Sequence, residues 1–181
     1  MKQKFHILLL IAGVILFASD NGLRPEKHEC QAYKSSLHFS YPQIEEERED
    51  VFQYDVQRYE LDLTIQSSTP KVAGSVTMTA TSKLANLSQI AVHLSNYLSV
   101  SNISGVSNYS HSGGRITINL AGVYQIGEEF SFTITYSGNP QNGAGFWSTW
   151  QGGAPHFYTL SEPYEARNWW PCKDVPRDRA N

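Results

Sequence analysis

The stretch Tyr54–Ile65 reads YDVQRYELDLTI, and its alternation decides the fold class. Four apolar side chains face one way along it, namely Tyr59, Leu61, Leu63 and Ile65. The polar residues between them face the other way, namely Arg58, Glu60, Asp62 and Thr64. A period of two is typical of a half-buried strand, because successive side chains of a strand point to opposite faces. We therefore predict a strand here with one face in a core.

The same pattern continues along the chain as far as Tyr136. Alternating apolar residues predict further strands around residues 72–80, 90–94, 98–103, 106–109, 116–120 and 130–136. Turn-forming residues separate these runs, among them the HSGG sequence at His111–Gly114. About seven short strands with turns every 8–12 residues, and almost no helical periodicity, predict an all-β fold. The expected architecture is a twisted, two-sheet sandwich.

The N-terminus has the pattern of a signal peptide. Two lysines, Lys2 and Lys4, lie close to the N-terminus, and the apolar run ILLLIAGVILFAS follows them at Ile7–Ser19. That run is shorter than a membrane span, which needs about 20 residues, and it has the length of a signal-peptide core. We therefore predict a signal peptide at residues 1–19, a polar lead-in at 20–50 and the β domain at 51–181. The protein is expected to be exported, periplasmic or extracellular; an uncleaved N-terminal anchor is the alternative.

Composition narrows the choice of partners. The formal charge of −3 becomes −5 once Lys2 and Lys4 leave with the signal peptide. A mildly acidic domain without a cluster of basic residues argues against nucleic acid, and against a membrane beyond the signal peptide. The two cysteines, Cys30 and Cys172, could pair outside the cytosol or stay as free thiols, and the sequence leaves both possibilities open.

The sequence contains no complete catalytic or metal-binding motif. None of the six histidines has a second histidine three to five residues away, so no zinc-binding pair on one helix face is predicted. His28-Glu29 begins like H-E-x-x-H, but Ala32 occupies the position of the second histidine. We therefore predict neither a catalytic residue nor a metal ligand within this chain.

The densest cluster of aromatic and charged residues is TLSEPYEARNWWPCKDVP at Thr159–Pro176, called the closing segment below. Glu162 lies in it among tyrosines and tryptophans, and a carboxylate in so apolar a setting is costly unless it is paired. Its partner could be Arg167, which could instead stack on Trp169, or it could be the ammonium group of a ligand. The residues alone leave these partners open.

Two blocks of the sequence resemble the N-terminal domain of the M1 family of zinc aminopeptidases. YDVQRYELDLTI at Tyr54–Ile65 resembles the opening strand of that domain. The closing segment resembles its final signature, in which a Glu or Gln precedes A-R, an aromatic pair, P-C and D-x-P. Its WWPCKD part is similar to the exported bacterial branch. The resemblance covers roughly residues 50–181.

The resemblance implies a role for Glu162 and for the chain as a whole. In that family the N-terminal domain is a twisted β-structure that packs against a thermolysin-like catalytic domain, and the signature Glu or Gln binds the α-amine of the peptide substrate. Counting back from Pro171-Cys172 places this role on Glu162. The family's G-x-M-E-N strand, H-E-x-x-H helix and downstream glutamate ligand belong after Asn181. The resemblance thus implies a zinc aminopeptidase as the parent protein, with zinc and catalysis outside this fragment.

Two other hypotheses stay open. A free-standing β-sandwich binding module would have the same domain without catalysis. An adhesion or glycan-binding sandwich would use the aromatic residues of the stretch 137–155, which we predict to be a loop, although packing against the sandwich is their default role. These residues are Phe146, Trp147 and Trp150.

The pair Trp169 and Trp170 is expected on an exposed face that meets the catalytic domain.

Overall fold

Ten strands and two short 3-10 helices make up the part of the chain that a computed structural model describes, residues 4–7, 49–66, 69–161, 164–175, 178 and 180. All of these residues belong to one compact unit. The strands are β1 (Lys4–Ile7), β2 (Tyr54–Gln66), β3 (Lys71–Ser82), β4 (Leu87–His93), β5 (Leu98–Ser104), β6 (Val106–Ser112), β7 (Arg115–Tyr124), β8 (Glu129–Gly138), β9 (Phe146–Gln151) and β10 (Ala154–Thr159). The 3-10 helices are Glu49–Phe52 and Ala166–Asn168. Neither is long or apolar enough to cross a membrane.

The strands form three antiparallel sheets. The largest has the order β1-β2-β3-β8-β5, the second has the order β4-β7-β6, and β9 and β10 form a separate two-stranded sheet. In the largest sheet Leu61 lies opposite Val76, which in turn lies opposite Ile134. The all-β, two-sheet prediction is therefore confirmed, with a separate hairpin added to the two larger sheets.

One hydrophobic core joins the five-stranded and three-stranded sheets. Its members come from alternate positions of β3, β8, β7 and β4, for example Val76, Met78, Ile134, Tyr136, Ile116, Ile118, Ile90 and Val92. Full burial of one such aliphatic or aromatic side chain stabilises a fold by about 1.5–3 kcal/mol. The sandwich therefore has a continuous core of its own.

A β-bulge lets two apolar sets of β2 share the core face. Tyr54, Val56 and Leu63 are all buried. Tyr54 and Val56 have even numbers and Leu63 has an odd number, so a regular strand would point them to opposite faces. The pairing of β2 with β3 shifts between Val56 and Arg58, and the extra residue of the bulge corrects that parity. Alternation alone predicted that the side of β2 with Leu63 faces the core, and the bulge adds Tyr54 and Val56 to that face.

The stretch predicted to be a loop contains a hairpin. Its turn is Gly152-Gly153, and both glycines have positive φ, 57° and 80°. Two residues in this conformation form the turn that best joins antiparallel strands, because its twist matches theirs. Glycine and asparagine dominate the surrounding sequence and obscured the aromatic residues of β9, which favour a strand.

β1 belongs to the predicted signal peptide and lies at the edge of the largest sheet, antiparallel to β2. Cleavage on export would leave β2 as the edge strand of the mature domain. The structure does not test this cleavage, so the signal peptide stays a prediction. Residues 8–48, which include Cys30, lie outside the described residues.

Candidate functional site

The closing segment is the candidate site, and the structure describes most of it. Glu162, the residue predicted to bind a substrate amine, lies outside the described residues together with Pro163. Ser161 before them and residues 164–175 after them are described. The described residues that precede and follow Glu162 in the sequence define the candidate site.

An ion pair within the closing segment fixes its 3-10 helix. Arg167 Nε donates to Asp174 Oδ2 at 2.7 Å, and Nη2 donates to the Asp174 main-chain oxygen at 3.3 Å. The Asp174 side chain is 6% exposed. Burial raises the pKa of the Asp174 carboxyl, and the Arg167 guanidinium acts in the opposite direction. Arg167 thus pairs with Asp174, a partner that sequence reasoning did not consider.

Lys173 attaches the closing segment to β2. Its Nζ donates to the Tyr54 main-chain oxygen at 2.7 Å, lies 4.5 Å from the centroid of the Tyr54 ring and pairs with Asp178. Its backbone amide donates to the Tyr59 hydroxyl at 2.9 Å. Burial lowers the pKa of the Lys173 amine, and the Asp178 carboxylate opposes this effect. A buried ammonium group needs several such partners to offset its desolvation.

His93, at the end of β4, attaches the closing segment to the second sheet. Its Nδ1 accepts a hydrogen bond from the Asp174 amide at 3.1 Å, and its backbone exchanges two hydrogen bonds with Cys172 at 2.8 and 3.1 Å. An imidazole that accepts at Nδ1 is neutral, with its proton on Nε2. Burial lowers the pKa of His93 to about 3, and the charges of Arg167 and Arg115 act in the same direction. Sequence reasoning missed this residue, because the contact joins positions 81 residues apart.

Cys172 is a buried free thiol. Burial raises its pKa well above the ordinary value, so the thiolate is disfavoured. Since the thiolate is the reactive form of cysteine, Cys172 has the properties of a structural residue and not of a nucleophile. Of the two states left open by the sequence, the structure has the free thiol.

The aromatic pair of the closing segment is partly buried, although we expected it to be exposed. Trp170 packs edge to face on Tyr59 with ring centroids 5.0 Å apart, and both tryptophans pack against the core. Trp169 Nε1 donates to Ser161 Oγ at 3.1 Å, and the Trp169 main-chain oxygen accepts from the Tyr136 hydroxyl at 3.1 Å. The pair therefore serves to hold the closing segment on the sandwich.

Three of the exposed large apolar side chains lie on the β9–β10 hairpin and just after it. Trp150 is 67% exposed, Tyr158 50% and Leu160 47%. Tyr158 stacks on Trp147 with ring planes 1° apart and centroids 5.3 Å apart. Phe146 is fully buried, so the predicted packing role holds for this residue of the loop and not for Trp150.

No group of three or more His, Cys, Asp or Glu side chains in the described ranges is arranged to hold a metal ion. A polar cavity of about 380 Å³ lies near the first 3-10 helix, lined by residues that include Asp50, Gln53, Gln89 and Arg115. Its lining contains no residue of the closing segment. The polar interactions described above therefore anchor the closing segment to the two larger sheets.

Comparison with known proteins yields one family and a set of solved structures. Residues 55–181 match the peptidase M1 N-terminal domain. An M1 zinc metallopeptidase from Deinococcus radiodurans is 30% identical with a TM-score of 0.59, over 71% of this chain and 31% of that one. A mutant of that enzyme bound to a Tyr-Ser-Ala substrate is 29% identical, with the same TM-score and coverage.

A more distant structure agrees in fold. Native yeast LTA4 hydrolase is 21% identical with a TM-score of 0.57, over 68% of this chain and 21% of that one. No curated protein matches the chain. The chain thus spans about a third or less of the length of these solved structures.

Proposed function

Because the chain belongs to the family of peptidase M1 N-terminal domains, we propose that it is the substrate-amine-binding domain of a zinc aminopeptidase that removes N-terminal residues from peptides. The observation that carries the proposal is the match over residues 55–181, which includes the whole closing segment. Its partners are then the peptide substrate and a catalytic domain of the same polypeptide. The fragment itself is non-catalytic.

Glu162 is the residue proposed to bind the substrate. Its carboxylate would pair with the free α-ammonium group of a peptide and so select substrates by their N-terminus. A charge-assisted hydrogen bond of this kind contributes about 1.5–3 kcal/mol. Support comes from the surroundings: Arg167, the internal cation considered as a partner for Glu162, forms its ion pair with Asp174.

Zinc is the cofactor that the family implies, and the described residues do not fit it. Zinc sites in proteins need three or four nitrogen, sulfur or oxygen ligands, and no such group is present in the described ranges. On the family match alone, we propose that the parent protein binds its zinc through residues outside this chain. The action of this domain is to bind and orient the peptide.

The central test is the variant E162Q in the full-length protein. Loss of the charge should raise KM for an aminoacyl p-nitroanilide by about 10-fold to 100-fold, because 1.4 kcal/mol corresponds to a factor of ten. Zinc content should not change. E129Q, which removes an exposed carboxylate on β8, serves as the matched control. Loss of zinc with an unchanged KM would refute the assignment.

The gene decides between the enzyme and a free-standing module. A reading frame that continues into G-x-M-E-N and H-E-x-x-H motifs supports the aminopeptidase, and a stop codon after Asn181 supports the module. Export, predicted from residues 1–19, is tested by sequencing the N-terminus of the mature protein. A mature protein that begins at Met1 would contradict cleavage.

A further inference from the structure

The outer face of the three-stranded sheet carries three side-chain amides in a line, called the amide row below. They are Gln89 on β4, Asn119 on β7 and Asn108 on β6, and Asn119 lies directly opposite each of the other two in the strand register. The neighbouring residues Ile90 and Ile118 point to the opposite face and belong to the hydrophobic core. The amide row therefore faces away from the core.

Hydrogen bonds between neighbouring strands orient the amide row. Gln89 Nε2 donates to Asn119 Oδ1 at 2.8 Å, and Asn119 Nδ2 donates to Asn108 Oδ1. A side-chain amide has two N–H donors and an oxygen with two lone pairs, so each amide keeps hydrogen-bonding capacity beyond these contacts. Gln89 and Asn108 are exposed, and Asn119 is half-buried. The row therefore offers donors and acceptors to a ligand in an arrangement that is already set.

The polar cavity beside the first 3-10 helix continues the amide row on the β4 side. Gln89 belongs to both, and Ser88 and Thr117 add hydroxyl groups to the cavity lining. The volume of about 380 Å³ lies near the lower end of the range for small-molecule sites, which is about 300–1,000 Å³. Leu84, which is 44% exposed, adds apolar surface to the lining. The row and the cavity thus form one continuous polar surface.

The charges on this surface compensate each other. Arg115 Nη2 pairs with Asp50 Oδ2, and both residues line the cavity. A charged ligand would have to compete with this ion pair and give up its own hydration, whereas a neutral ligand leaves the pair intact. None of the described lining residues is aromatic, although aromatic side chains are enriched at protein–protein interfaces. The surface therefore favours a neutral, polar ligand over an ion, a nucleic acid or a protein.

We propose that the amide row and the cavity bind a neutral oligosaccharide. A sugar hydroxyl both donates and accepts hydrogen bonds, so adjacent hydroxyls match amides that offer a donor and an acceptor side by side. Neighbouring strands lie about 4.8 Å apart, which is close to the repeat of sugar units along an extended glycan. This inference goes beyond the proposed peptidase role, and it does not depend on Glu162.

The first test titrates the full-length protein with cellohexaose, maltohexaose, laminarihexaose and chitohexaose by isothermal titration calorimetry. At least one of these neutral probes should bind saturably with a Kd below about 5 mM. Hexagalacturonate, an anionic probe, should bind more weakly than that sugar. Saturable binding of none of the four neutral probes would overturn the proposal, and so would equal or tighter binding of hexagalacturonate.

The second test places the sugar on the amide row. Q89L and N119L should each raise the Kd of the tightest neutral probe by about tenfold, because each variant removes hydrogen bonds to the ligand. The matched control is N102L, which replaces an exposed asparagine on β5 of the other large sheet and should change Kd less than about twofold. Equal losses in Q89L and N102L would overturn the proposal. If N119L does not fold, Q89L decides alone, since Gln89 is exposed.

A third variant separates this site from the aromatic hairpin, which the sequence offered as an alternative glycan-binding surface. W150A removes the most exposed aromatic side chain of the hairpin and should bind the neutral probe with a Kd within about twofold of wild type. A loss of binding in W150A together with unchanged binding in Q89L would overturn the proposal and assign the sugar to the hairpin.

Discussion

The pH dependence of stability should report the contact between His93 and the closing segment. Burial lowers the pKa of His93 to about 3 in the folded protein, whereas the unfolded chain has the ordinary value of about 6.5. A lowered pKa in the folded state means that the unfolded chain binds the proton more tightly. The contribution of neutral His93 to the free energy of unfolding is therefore complete above about pH 6.5, and it is lost progressively as the pH falls toward 3. Between pH 7 and pH 5 the loss from His93 is about 2 kcal/mol.

Other titrating groups act in the opposite direction. The folded-state pKa values of Asp174 and Glu165 are raised, mainly by burial, so acidification favours the folded state at these two carboxyls. The charged groups that face His93 are Arg167, Arg115, Asp50 and Lys173. The total pH dependence therefore mixes several groups, and a variant is needed to isolate the imidazole.

The variant H93N isolates it. Asparagine can place its Oδ1 close to the position of Nδ1 and still accept the Asp174 amide, but it does not titrate. Urea unfolding followed by far-UV circular dichroism at pH 7, 6 and 5 gives the free energy of unfolding of both proteins. Wild type should lose about 2 kcal/mol more than H93N over this range, and H156N, which removes an exposed imidazole, should behave as wild type. Slopes for wild type and H93N that agree within about 0.5 kcal/mol would refute the reasoning.

Three further predictions concern the anchors of the closing segment and the sheet. Y59F should lower the free energy of unfolding by about 1–3 kcal/mol, because the Lys173 main-chain amide then loses its hydrogen-bond acceptor. An unchanged urea midpoint would contradict this prediction. G138A should cost about 1–3 kcal/mol in the same assay, since its Cβ would lie 2.4 Å from a facing main-chain oxygen. G122A, with its nearest contact at 3.7 Å, should cost much less, and equal losses would argue against the steric cause. In a C30S background, Cys172 should react with iodoacetamide only after unfolding, and rapid labelling of the native protein would show that the thiol is accessible.

The sequence predicts the sandwich well because its strands are half-buried. One face of β2 carries Arg58, Glu60 and Asp62, and the other face contacts the core. Polar and apolar residues therefore alternate along this strand, and the alternation can be recognised in the sequence. The β9–β10 hairpin has no such regular burial, because it forms a two-stranded sheet of its own and many of its side chains are exposed. Its aromatic residues therefore follow no simple alternation, and the Gly152-Gly153 pair is the sequence signal that could have predicted the hairpin.

The candidate site is less accessible to sequence reasoning. Glu162 was assigned from a resemblance, since the residues around it leave its partner open. The ion pair of Arg167 with Asp174 spans seven positions of irregular chain, and no helix or strand period predicts such a pair. The same holds for His93, whose partner lies on a distant segment. Contacts of this kind are set by the tertiary fold and not by local pattern.

The docking of Lys173 onto β2 has a consequence for how the domain is made. Its two hydrogen bonds join residues 114 and 119 positions apart, so the first long strand acquires its final partner only when the end of the domain has been synthesised. Contacts between such distant positions form slowly, because the intervening chain must first be closed into a loop. While Lys173 is still inside the ribosome, β2 lacks both hydrogen bonds to the closing segment. The domain is therefore expected to complete its folding only after the closing segment has been synthesised.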